Sequence, residues 1–178
     1  YEIRIIGALV KLGRRRDALD VLGFMLRDRR IPPWNQWPEI SWRDPSGPSF
    51  IGDLPHTWIS AEYMLAMCSV FAYEREEDAS LVIAAGLAEE WLSDGFEVGV
   101  RNLPTYHGNL SYSLRLESTD TMRLKLEGDL EVPQGGIVVM PPLPRPIRQV
   151  QINGKPVSAF ETDSLTCREC SAEALVRF

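Results

Sequence analysis

The sequence predicts an α + β chain: an N-terminal helical segment over residues 1–78, then an antiparallel β-sandwich over residues 79–178. Three observations carry this. Apolar residues recur at helical spacing through the first third of the chain. Beyond the charged stretch Glu74-Arg-Glu-Glu-Asp78 the apolar period becomes two, that of strands. Between the second and third helical patterns lies a long strap, Pro32 to Trp58, that carries prolines, acids and four of the chain's five tryptophans.

Ile5, Ile6, Leu9, Val10 and Leu12 fit a first helix, and Gly13 stands where a C-terminal cap belongs. A second helix runs from about Arg15 to Arg29, with Ala18, Leu22, Met25 and Leu26 on one face. The short joint makes the two an antiparallel hairpin. Pro32-Pro33 ends it, since proline cannot continue a helix and restricts the residue before it. A third helix, about Pro55 to Tyr73, is apolar nearly all round, with Glu62 its only charge before Glu74. A helix without a polar face belongs among other elements, so partners beyond one hairpin are expected to cover it, from the remainder of a longer chain or from another chain.

Glu74 to Asp78 reads as a charged connector and the domain joint. Strands follow at Leu81–Ala84, Phe96–Val100, Leu110–Leu116, Met122–Leu126 and Ile137–Met140, with one helical turn near Ala88–Leu92. Val150 and Ile152 lead into Asn153-Gly154, a strong hairpin signal. With the closing Ala174–Phe178, seven or eight short strands make an antiparallel sandwich.

A net charge of −6 and a pI near 5.0 argue against a nucleic-acid or anionic-membrane partner. No apolar run reaches the length of a membrane span. The chain opens at Tyr1 without an initiator Met and already inside an amphipathic pattern, as the middle of something longer would. Cys167-Arg-Glu-Cys170 has the spacing of half a zinc site, but no second pair or neighbouring His completes it. No phosphate loop, metalloprotease motif or nucleophile elbow is present, so no cofactor and no metal are expected. His56 and His107 lie far apart in sequence, and neither is expected to have a metal-ligand neighbour.

Chemistry is left to the strap. Indole faces stack on the apolar side of a sugar, and carboxylates hold its hydroxyls or act on its linkage. The competing reading is a structural strap that buries its indoles against the helices. Glu39 follows the rigid Trp37-Pro38 pair and could act as a general base on water attacking a sugar. Glu62, a lone acid on an apolar helix, needs a partner or a role, and pairing with an arginine or a backbone donor is its simpler reading. Asp53 fits an N-terminal cap of the third helix, and Asp44, before Pro45, a turn.

A helix hairpin, an aromatic loop with a glutamate ("WNQWPE") and an apolar helix opening as "LPHTWISAEYM" together resemble the final helices of six-hairpin (α/α)6 glycosidases, the glucoamylase-like superfamily. The strands "GGIVVMPPL" and "VQINGKPV" look like the small sandwich that many such enzymes carry after the toroid. The resemblance implies a C-terminal part of a glycoside hydrolase, residues 1–78 completing the toroid. It makes Glu39 the general base, and places Trp34, Trp37, Trp42 and Trp58, with His56 and Glu62, against an oligosaccharide or polysaccharide. It also implies that the remainder of the parent chain covers the third helix, that the general acid lies elsewhere, and that these residues alone hydrolyse nothing. Export, to the medium or periplasm, is common among polysaccharide-degrading relatives. The other reading open at this stage is a non-catalytic carbohydrate-binding or protein-interaction module.

Overall fold

The computed structural model describes residues 2–28, 35–40 and 52–178, in which three helices precede ten strands. The chain divides into two compact units, Tyr1–Val70 and Phe71–Phe178.

In the first unit, α1 (Arg4–Lys11) and α2 (Arg15–Asp28) form the expected hairpin. Gly13 has φ +71°, which a side chain would resist. Its N–H bonds the Val10 carbonyl at 2.9 Å while that of Arg14 bonds Leu9 at 2.8 Å. That pair of bonds satisfies carbonyls the helix end would otherwise leave open. The buried stripe is Ile3, Ile6, Leu9 and Val10 from the first arm and Ala18 and Leu22 from the second. Ile5, Leu12 and Leu26, assigned to the same faces from the sequence, are exposed.

The third helix, α3, spans Thr57–Phe71. It starts later than the sequence suggests, because the His56 carbonyl accepts both the N–H and the hydroxyl of Ser60, which puts the cap at His56. Asp53 is therefore not the cap. Ile59, Ala66 and Val70 are buried, whereas Met64 and Leu65 are 66% and 63% exposed. Among the described residues, then, only one stripe of this apolar helix is covered. No helix of the described residues is long and apolar enough to cross a membrane.

The second unit holds ten strands in two sheets. One has the order β1 (Ala72–Arg75), β2 (Ser80–Ile83), β6 (Ile137–Val139), β9 (Leu165–Cys167). The other runs β3 (Glu97–Thr105), β4 (Gly108–Ser118), β5 (Thr121–Glu127), β10 (Ala172–Arg177), β7 (Gln149–Ile152), β8 (Lys155–Val157), all antiparallel. Alternation decides its inner face: Leu110, Tyr112 and Leu114 of β4, Met122, Leu124 and Leu126 of β5, and Ala174 and Val176 of β10 are all buried. Asn153 and Gly154 take φ +50° and +75° in the β7–β8 turn, as a two-residue hairpin requires.

Two features differ from the sequence reading. The stretch expected to be a connector is a hairpin: Glu74 and Arg75 lie in β1, and Glu76–Asp78 is one 3-10 turn leading to β2. Arg75 grips the Asp78 carboxylate through two nitrogens, at 2.7 and 3.0 Å, and the buried Ser80 donates to it at 2.7 Å. Local ion pairing thus lets a charged stretch turn. Second, β2 and β6 pair in parallel, with Leu81 opposite Ile137. The paired residues, Leu81–Ile83 and Ile137–Val139, are all apolar and buried, the usual condition of parallel strands.

Within this unit Tyr112 joins the sheets. Its hydroxyl donates to the Phe71 carbonyl at 2.8 Å, and that oxygen also accepts the Ala84 N–H at 2.9 Å. Burial drives the phenol far above its ordinary pKa, so it stays a donor.

Candidate functional site

Trp34, Trp42 and Asp44 lie outside the described residues. The remaining candidates fall into two clusters in the helical unit. The first is built by the strap around Pro38 and the segment entering α3. Two backbone bonds cross-link them: the Glu39 N–H to the Asp53 carbonyl at 3.1 Å, and the His56 N–H to the Trp37 carbonyl at 2.9 Å. Trp37 and Pro38 are buried, Trp37 with its ring 5.1 Å from that of Tyr63 on α3. Packing therefore holds the strap on one side and hydrogen bonds hold it on the other.

Glu39, which follows this anchored pair, is half-buried. Its side chain lies over Gly52, which has φ +67°. A Cβ at position 52 would stand 2.6 Å from the Glu39 Cβ and closer still to its carboxylate. Glycine is thus required there twice, for its backbone angle and for the space it leaves.

Asp53 and His56 complete the cluster. One donor atom from each of Glu39, Asp53 and His56 lies within 4.8 Å of the other two. The His56 Nδ1 is 3.9 Å from an Asp53 oxygen. That is too long for a hydrogen bond. His56 therefore has two metal-ligating neighbours, contrary to the expectation from the sequence, and one of them, Asp53, is only three residues away along the chain. The missed signal is the run Gly52-Asp53-Leu-Pro-His56, where a glycine makes room beside an acid and an imidazole three residues apart.

The second cluster is on the first turns of α3. The Trp58 indole N–H donates to Glu62 at 3.1 Å. The Arg4 guanidinium lies 4.0 Å from the same carboxylate oxygen and 5.7 Å from the centre of the Trp58 ring. Glu62 thus has the partners that its simpler reading asks for. Trp58 is 47% exposed. His56 stands between the clusters, its ring 6.4 Å from Trp58.

What this arrangement can do follows from spacing. The carboxyl groups that flank a scissile glycosidic bond stand about 5–5.5 Å apart in retaining enzymes and about 6.5–9.5 Å apart in inverting ones. Glu39 and Asp53 are closer than either. In this arrangement the pair has neither spacing. The cluster can offer one anchored base, or several donor atoms to one ion.

The second unit has a cleft of about 650 Å³ beside the β7–β8 hairpin and β9, lined in part by Lys155, Phe160, Thr166 and Arg168. None of the sequence candidates lies in it. Cys167 and Cys170 are free thiols, Cys167 buried.

No family model matches the chain, and no curated protein matches it in sequence. Among solved structures it is similar to a GH127 β-L-arabinofuranosidase from Geobacillus stearothermophilus T6, at 12% identity and a TM-score of 0.33. The alignment covers 67% of this chain but only 18% of that enzyme.

Proposed function

We propose that this chain is the C-terminal part of an enzyme that hydrolyses glycosidic bonds, with Glu39 as general base and Trp58 as an aromatic wall for the sugar. The observation that carries the reading is the seating of Glu39: half-buried, behind an anchored Trp37-Pro38 pair, in a space kept open by Gly52. A general base must be held in place before its basicity matters. The resemblance of "WNQWPE" and "LPHTWISAEYM" to the last loop and helix of a six-hairpin toroid supports the same assignment. On this reading Trp37 supports the base rather than stacking on sugar, because its ring is spent on Tyr63. Met64 and Leu65 then face the remainder of the toroid.

The test is Glu39→Gln in the full-length parent. Turnover is expected to fall by about 10²–10⁴, the usual contribution of a general base, while oligosaccharide binding stays within a few-fold. Retention of most activity would remove Glu39 from the mechanism.

The half-exposed Trp58 favours a second reading, a module that binds glycan without cleaving it. Under it, the 178-residue chain alone shows saturable quenching of tryptophan fluorescence by oligosaccharide, and Trp58→Ala abolishes it. The hydrolase reading expects neither binding nor turnover from the chain alone.

A further inference from the structure

We propose that Glu39, Asp53 and His56 form a site for one divalent ion of the zinc type; only its effect on turnover rests on the general-base reading of Glu39. Two carboxylate oxygens and an imidazole nitrogen converge within 4.8 Å. Among the described residues no hydrogen bond joins these three side chains, and no lysine or arginine pairs with either acid. Three such atoms converging on one point are the donor set a single ion takes.

The site is held by elements outside its own side chains. The Glu39–Asp53 and His56–Trp37 backbone bonds fix the relative position of the two segments that carry all three donors. Gly52 gives the Glu39 carboxylate its place, since any Cβ there would occupy it. Donor atoms on a tetrahedral zinc are roughly 3.3 Å apart, given bonds of about 2.0–2.2 Å. The Asp53 to His56 separation is 3.9 Å and the three atoms lie within 4.8 Å of one another, so an ion must draw them in; the Asp53 side chain, 86% exposed, has room to move. An imidazole among the donors selects zinc and its neighbours over magnesium or calcium, which prefer oxygen alone. Three protein donors leave a position for water or a ligand.

An ion here would draw on the lone pairs that Glu39 needs as a base. Zinc would therefore inhibit the parent enzyme, and a chelator would restore it.

The test is calorimetric titration of the metal-free chain with zinc chloride, in a Cys167→Ser/Cys170→Ser background so that those thiols cannot hold the metal. One zinc per chain is expected, with Asp53→Asn and His56→Gln each weakening binding at least tenfold. Both variants are expected to keep the parent's circular dichroism, and excess magnesium is expected not to compete. Absence of stoichiometric binding in that background, or binding unchanged by both variants, overturns the proposal. Neither result touches the general-base reading, which depends on the turnover of the Glu39→Gln parent.

Discussion

His56 donates its backbone N–H to the Trp37 carbonyl at 2.9 Å, tying the entrance of α3 to a residue on the far side of the tryptophan-rich strap. A second bond, from the Glu39 N–H to the Asp53 carbonyl, lies beside it. The candidate site depends on this narrow clasp, and Gly52 is where it can be opened.

Gly52→Ala puts a methyl group into the Glu39 side chain and a Cβ on a left-handed backbone. Forcing extra atoms into a packed position costs about 1–3 kcal/mol. The expected result is faster amide exchange at Glu39 and His56, with Leu124 and other β-unit amides unchanged. Equal protection in variant and parent would show that the clasp does not rely on this glycine.

Tyr112→Phe removes a buried hydroxyl that donates to the Phe71 carbonyl. That oxygen keeps the Ala84 N–H, so no acceptor is stranded. The loss in a urea titration is therefore expected near about 1 kcal/mol, the ordinary worth of one hydrogen bond.

Asp78 is held at about 2, below its ordinary 3.8, first by the Arg75 hydrogen bond and then by that of Ser80. A depressed carboxylate stabilises the fold above its unfolded pKa and loses that contribution as pH falls through the folded one. The window here is from 3.8 down to about 2. Asp78→Asn is expected to lower the melting temperature at neutral pH and to leave a flatter acid limb. The effect is small, because the pair is partly exposed.

Burial pushes the Cys167 thiol up to about 11, with the charge of Glu169 adding to it. Thiolates, not thiols, attack disulfide reagents. At pH 8 Cys167 is expected to stay unreacted with a disulfide reagent in the native chain, and Cys167→Ser is expected to leave any fast phase unchanged.

Much of the fold was legible in the sequence because it rests on periodicity. The alternating Leu110-Tyr112-Leu114 and Met122-Leu124-Leu126 placed β4 and β5 and their inner faces. Gly13 marked the end of α1, and Asn153-Gly154 the β7–β8 turn. The elements that were missed lack a period. β9 is three residues long, and β1 carries charges because Arg75 and Asp78 satisfy one another. The site was half legible. Glu39 stood out beside a rigid Trp-Pro pair, but its neighbours Asp53 and His56 come from across the strap. The spacing of Asp53 and His56 is visible in the sequence, but their approach to Glu39 is not, and Asp53 suits a helix cap by its chemistry alone.

The parallel contact between β2 and β6 has a consequence for assembly. Leu81 can meet Ile137 only after the excursion through β3, β4 and β5 has been laid down, since those three strands are the crossover that joins them. Hairpins form between near neighbours, whereas this contact must close a long loop first. The β2–β6 contact is therefore expected to gain amide protection after the β1–β2 hairpin on refolding, leaving the facing sides of β2 and β6 as bare apolar edges until then. Those edges are where a crowded or interrupted synthesis would be expected to aggregate.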